Sequence, residues 1–313
     1  MFVLVGLILC SVSRAMAALS VPEMMNFLEE KGLSGGATSA VEGAIGGMVR
    51  SIDPEARICT AEEAALIREQ WTGAGQAGVT NQVGSVAMFE SWPESLAYLK
   101  IKGLFRNGGQ ELLAHLRTLT DGAGVIVDLR GTDGNDMEAV VELASPYYEP
   151  SEELFRIENR AGEVLETRRS GEGAPVRAPV MVLIDRDTRC AAETLAALWS
   201  GKPGIMLIGE PTRGDACIRD LLPLPDGRFL YIATKRIVPA RSGVYEAKGV
   251  RPDVVVDQHG GGPTPLKYHA GRPLSAKSVE DRDLMMRVDG DPVLRRGTDI
   301  LLALRALTDH DKQ

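Results

Sequence analysis

The chain has 313 residues, 44% of them hydrophobic and 25% charged, with 34 Gly and 17 Pro. That balance suits a globular protein of one large or two modest domains and excludes a collagen-like repeat, a largely disordered chain and a multi-span membrane protein. Thirty-five basic against 43 acidic residues leave a formal charge of −8 without a basic run, and aromatics are only 5%, so neither nucleic acid nor an anionic membrane is an expected partner.

Phe2 to Cys10 is almost wholly apolar, and Ala15-Met16-Ala17 fits a small-x-small cleavage site. Residues 1–17 therefore read as a signal peptide, and the mature chain is expected to be exported, periplasmic or extracellular. The apolar run is about nine residues, near half of a bilayer span, so no membrane span is expected in the mature chain. No Lys or Arg precedes that run, which leaves the true start codon open. Cleavage leaves Cys59, Cys190 and Cys217. An odd set keeps at least one thiol unpaired within the chain, and an oxidising compartment permits a disulfide.

Residues 18–72 read as a helical N-terminal segment. Met24–Lys31 closes on Gly32, Ser39–Val49 has apolar residues at helical spacing, and Thr60-Ala61-Glu62-Glu63 is a capping box opening a helix to about Trp71. Residues 73–84, rich in Gly, Gln and Asn, read as a linker. Within 85–259, short apolar strands alternate with helices. Strand Leu96–Ile101 precedes helix Gly108–Leu119, strand Val125–Leu129 precedes helix Asp136–Ala144, and strand Val180–Ile184 precedes helix Ala191–Trp199. Strands Ile205–Ile208, Ala216–Leu222 and Phe229–Thr234 follow. This alternation predicts an α/β core domain. Residues 260–313 are a linker at Gly260–Pro265 and a C-terminal helical tail, with Asp291 as N-cap and Pro292 in the first helical position of Asp291–Leu307.

Several motifs carry no function. Gly32-Leu33-Ser34-Gly35-Gly36 satisfies G-x-S-x-G, but a helix precedes it where that elbow needs a strand. Gly201-Lys202-Pro203-Gly204 lacks the rest of a phosphate loop. Asp133-Gly134-Asn135-Asp136 has calcium-loop residue types without the twelve-residue frame and reads as a tight turn. His115, His269 and His310 have no partners at metal-ligand spacing, so neither a metal nor a cofactor is expected.

Five stretches carry a family signal. They are Val41 to Pro54 with the capping box, Leu96 to Ile101, and Val127-Asp128-Leu129-Arg130-Gly131-Thr132-Asp133-Gly134-Asn135, then Gly209-Glu210-Pro211-Thr212-Arg213-Gly214 and Lys248-Gly249-Val250-Arg251-Pro252-Asp253. Their order and spacing resemble the C-terminal processing, or tail-specific, proteases. The resemblance implies a crotonase-like ββα core with an N-terminal helical segment and a C-terminal helix, and serine-type peptidase activity. Helices at both ends often mediate dimers in that family, but the oligomeric state of this chain stays open.

The departures from the family bear on function. Cys190 stands where the resemblance places the nucleophilic serine of S-A-S-A-S-E. Asp215 stands at the general-base lysine of T-F-G-K-G-x-V-Q, and Arg219 at its supporting glutamine. Backbone N–H groups of Ala191 and Gly134 would form the oxyanion hole. The dozen residues after Trp71 leave no room for the family's PDZ insertion. A helix N-terminus and Arg189, Arg213 and Arg219 favour a Cys190 thiolate, while Asp215 opposes it. If 215–219 is a strand, Asp215, Cys217 and Arg219 share a face. A Cys190–Cys217 disulfide, two free thiols and a thiolate–carboxylate metal site are then the alternatives. Cys59 reads as a small buried hydrophobe.

Three functions follow from these substitutions. The first is a degenerate (pseudo)peptidase binding peptide or protein through the former active-site cleft. The second is an active peptidase with Cys190 as nucleophile. The third is non-proteolytic thiol or acyl chemistry on a crotonase-like core, for which coenzyme A does not suit an exported chain.

Overall fold

A computed structural model describes residues 21–31, 37–72, 86–104, 108–117, 124–172, 176–241, 248–257 and 279–310. The expected signal peptide, the 73–84 linker and the Gly260–Pro265 linker lie outside these residues. The chain divides into two compact units between Ile58 and Cys59. The first holds helices α1 (Val21–Glu30) and α2 (Ala37–Ile52), and short strand β1 (Arg57–Cys59) runs across the division. No helix among the described residues is long and apolar enough to cross a membrane.

The second unit begins with α3 (Ala61–Thr72). Its capping box forms as expected: Thr60 N–H donates to Glu63 Oε2 at 2.8 Å, and Glu63 N–H donates to Thr60 Oγ1 at 3.2 Å. Next come β2 (Val86–Trp92), β3 (Leu96–Ile101), β4 (Gly103–Leu104), α4 (Gly108–Arg117), β5 (Gly124–Asp128), β6 (Asp133–Gly134) and α5 (Met137–Ala144). Hairpin β7 (Glu153–Asn159) and β8 (Val164–Arg169) precedes β9 (Val180–Ile184), α6 (Cys190–Trp199) and β10 (Ile205–Gly209). The chain ends with β11 (Cys217–Pro223), β12 (Phe229–Pro239), β13 (Val254–Val255), α7 (Val279–Gly290) and α8 (Pro292–His310).

A six-stranded sheet in the order β13-β10-β9-β5-β3-β2 forms the centre, parallel except for β2. Its middle strands are buried on both faces, which is why they read as unbroken apolar runs. Alternate residues serve opposite layers. Leu99, Val125, Val127, Val180 and Val182 pack with Leu112, Leu113, Val140, Leu195 and Trp199 of α4, α5 and α6. Tyr98, Ile126, Met181, Leu183 and Ile208 pack with Val288, Val293, Leu294 and Leu301 of α7 and α8. The result is the expected α/β architecture, with helices on both faces of the sheet.

A second, antiparallel sheet is built on the long strand β12, which pairs β11 through Phe229–Arg236 and β7 through Lys235–Pro239. The β7–β8 hairpin has no sequence forecast. Most of β8 is exposed, so no apolar alternation marks it. Strand β12 also runs five residues past the expected Thr234. Lys235 and Arg236 look like a strand end, but they form ion pairs with Asp220 at 2.9 Å and Glu158 at 2.6 Å.

Candidate functional site

Loops leaving the carboxyl ends of β5, β9 and β10 meet at one place, the usual location of sites on open parallel sheets. They are laced together by hydrogen bonds. Asp185 Oδ1 accepts from Gly131 N–H and Asp187 N–H, each at 3.0 Å, and from Thr188 Oγ1 at 3.1 Å. Arg189 N–H donates to the Thr132 carbonyl, and Arg213 N–H donates to the Thr188 carbonyl, both at 3.1 Å. Cys190 opens α6 with φ +50, in the left-handed region that a side chain rarely adopts. Strain of this kind persists only where flanking bonds enforce it.

The structure brings Cys190, Asp215, Cys217 and Arg219 together. Arg219 holds Asp215 in a two-pronged ion pair, Nη1 to Oδ2 at 2.6 Å and Nη2 to Oδ1 at 2.7 Å. Cys190 Sγ donates to Asp215 Oδ2 at 3.5 Å and Cys217 Sγ to Oδ1 at 2.9 Å. Neither cysteine is joined in a disulfide, nor is the buried Cys59. Asp215 does not lie on a strand: β11 starts at Cys217, and the register shift beside it falls on β12, where Thr234 is the extra residue between Ala233 and Lys235. Cys217 and Arg219 are two apart on β11, as the spacing predicts for one face, and the turn before β11 brings Asp215 to them.

Electrostatics fix the proton on sulfur. Burial pushes the Cys190 thiol well above its ordinary range; the charges of Asp133 and Asp215 and the Cys217 thiol add to this, and Arg219 only partly offsets them. Of the three arginines expected to favour a thiolate, Arg219 reaches the sulfur, with Nη1 3.9 Å from Cys190 Sγ, and all three are paired with carboxylates. Arg219 neutralises Asp215, Arg189 pairs with Asp133 at 2.8 Å, and Arg213 lies 4.0 Å from Asp187. Burial would raise the Asp215 carboxyl, but hydrogen bonds and charge from Arg219, with the two thiols, hold it below the usual carboxylate range.

Two further site residues emerge from the structure. Glu193, fully buried on α6, accepts from Thr212 Oγ1, from Gly214 N–H at 2.6 Å and from Asp215 N–H at 2.7 Å, fixing the loop that carries Asp215. The 248–253 motif supports the same loop from behind. Val250 N–H donates to Thr212 Oγ1 at 2.7 Å, and a Cβ on Gly249 would fall 2.1 Å from the Thr212 carbonyl oxygen. The second residue is Asp133, whose Oδ1 accepts from Gly134 N–H at 2.7 Å. The N–H expected to face an oxyanion is thus already engaged. Ala191 is fully buried at the start of α6, and its N-cap, Arg189, supplies no side-chain acceptor. Glu193 ends the S-A-S-A-S-E-like stretch, so its position was visible in the sequence, whereas Asp133 reads only as a turn residue.

Residues 95–256, just over half of the chain, match the family model described as peptidase family S41. The chain belongs to peptidase family S41. It is 29% identical over 190 residues to a carboxyl-terminal-processing protease of Picosynechococcus sp., covering 58% of this chain and 45% of that one. A carboxyl-terminal-processing protease of Synechocystis sp. is 29% identical over 167 residues, covering 53% and 39%. The S41 chain thus spans less than half the length of these curated relatives. A solved Parabacteroides merdae structure matches with a TM-score of 0.56 over 88% of each chain at 15% identity, a likeness of fold. The expected tail-specific protease family and α/β fold are therefore established.

Proposed function

We propose that this S41 chain is an exported, degenerate peptidase that binds peptide or protein at the Cys190 site without ordinary proteolysis. One observation carries the reading: Asp215, at the position of the family's base lysine, is locked by Arg219 and accepts a hydrogen bond from the Cys190 thiol. A base for acyl transfer must take the nucleophile's proton. Asp215 is held below the usual carboxylate range and the thiol well above its own, so the proton stays on sulfur. The short 73–84 stretch supports the same reading because it has no room for a substrate-tethering PDZ insertion at that point in the chain.

The test is incubation of the full chain with an unfolded protein, followed by mass spectrometry of the products. The expected result is no cleavage above that of Cys190→Ala. Cleavage that vanishes in Cys190→Ala supports instead an active cysteine peptidase. The strained φ of +50 at Cys190 favours this second reading, because such strain is typically kept where a side chain reacts.

A further inference from the structure

Gly134 is fixed by its surroundings. It pairs with Leu104 between β4 and β6, its φ is +141, and a Cβ there would fall 2.3 Å from the Leu104 carbonyl oxygen. Only glycine fits, and the main chain sets the direction of its N–H. Strand β6 packs on α6, the helix that Cys190 opens. The Gly134 N–H donates to Asp133 Oδ1 at 2.7 Å, and Asp133 Oδ2 lies 2.8 Å from Arg189 Nη2, one residue before Cys190. The Asp133 charge is felt at the Cys190 sulfur, where it is second only to burial in raising the thiol pKa.

We propose that Asp133 is a built-in oxyanion surrogate: its carboxylate occupies the Gly134 donor that an acyl oxyanion on Cys190 would need, and Arg189 latches it there. The inference rests on the reading of Cys190 as the family's nucleophile position. A bound carbonyl reaches Gly134 N–H only when the Asp133 side chain swings out. Both latch side chains are partly exposed, 45% for Asp133 and 38% for Arg189, so the pair can exchange with water without unfolding the loop. Asp133 thereby gates acyl chemistry at Cys190 and adds a second negative charge that disfavours anionic ligands beside the thiol.

Two small reagents separate the donor from the thiol. In acylation by p-nitrophenyl acetate, the Cys190 proton goes to solvent base, a sulfur–carbon bond forms, and p-nitrophenolate leaves with the electron pair of the broken carbon–oxygen bond. This route passes through a tetrahedral oxyanion. Alkylation by iodoacetamide forms a sulfur–carbon bond and expels iodide, with no oxyanion. The ratio of the two rates, with Cys190→Ala as blank, therefore reports the donor and cancels the thiol pKa.

Asp133→Ala should raise that ratio about tenfold or more, a modest share of what one oxyanion donor contributes in enzymes. Asp133→Asn, which keeps an acceptor on Gly134 N–H, should leave the ratio near that of the unmodified chain. Arg189→Ala, which loosens the latch and spares Asp133, should give a smaller rise and provides the test if Asp133→Ala does not fold. An unchanged ratio in both Asp133→Ala and Arg189→Ala overturns the proposal. So does an equal rise in Asp133→Ala and Asp133→Asn, which would mark a pure charge effect. Proteolysis by the unmodified chain would instead sink the functional reading, and the reagent ratio would still decide the role of Asp133.

Discussion

Asp128, buried, and Asp215, half-buried, are both carboxylates gripped by an arginine, yet they serve different ends. Asp128 accepts from Tyr98 Oη at 2.8 Å, Lys100 Nζ at 3.2 Å, and Arg130 through N–H, Nε and Nη2 at 3.0, 2.9 and 2.8 Å. Arg130 continues to Asp291, the cap of α8, with Nη2 2.7 Å from Oδ2. Strong donors saturate this carboxylate and tie β3, β5 and α8 into one staple. Asp215 has the same guanidinium grip, but its remaining donors are two thiols, which are weak. What surrounds the fork, rather than the fork itself, separates a structural pair from one that controls the protonation of a sulfur.

The largest effect should come from the staple. Asp128→Ala strands Arg130 and Lys100, so chemical denaturation should show a loss of about 3–5 kcal/mol, the usual result of unpairing a buried charge. Arg219→Ala leaves Asp215 without its cation and should cost less, about 3 kcal/mol, because fewer elements are joined there. A greater loss at Arg219 than at Asp128 would reverse the comparison. Arg219→Ala should also push the Cys190 thiol further up, since Arg219 is the group that lowers it, and a thiol titration would read this.

Glu193 predicts a pH dependence of definite sign. Burial lifts its carboxyl from 4.5 to about 7; hydrogen bonds from Thr212, Gly214 and Asp215 oppose the rise and the Asp215 charge adds to it. Between those values the folded state keeps a proton that the unfolded chain has released. The Glu193 contribution is therefore fully present below pH 4.5 and lost as pH rises through about 7. The loss is on the order of 3 kcal/mol, and denaturant midpoints across that window should flatten in Glu193→Gln. The smallest effect should be at Thr60→Ala, a cap far from either carboxylate, at about 1 kcal/mol by thermal melting.

Much of the central sheet was legible because its strands are buried on both faces. Val180–Ile184 appears as predicted, and the helix beginning at Ala191 starts one residue earlier, at Cys190. Side-chain caps were legible too: Asp291 accepts from Val293 and Leu294 N–H at 3.1 and 3.0 Å. Strand β8 and helix α7 were not, since neither has a strong apolar stripe. At the site, the spacing of 215, 217 and 219 suggested a shared strand face; Cys217 and Arg219 do lie two apart on β11, whereas Asp215 sits in the turn before it. Asp133 gave no signal, because a carboxylate bonding the next N–H is indistinguishable in sequence from a turn.

The pH profile of Cys190 alkylation by iodoacetamide, followed by peptide mapping, tests the central claim most directly. A thiol held by burial and two carboxylates should react slowly at neutral pH, with its rate rising only above the range of an ordinary cysteine. Fast alkylation with a midpoint below neutrality would reveal an activated thiolate and contradict the account.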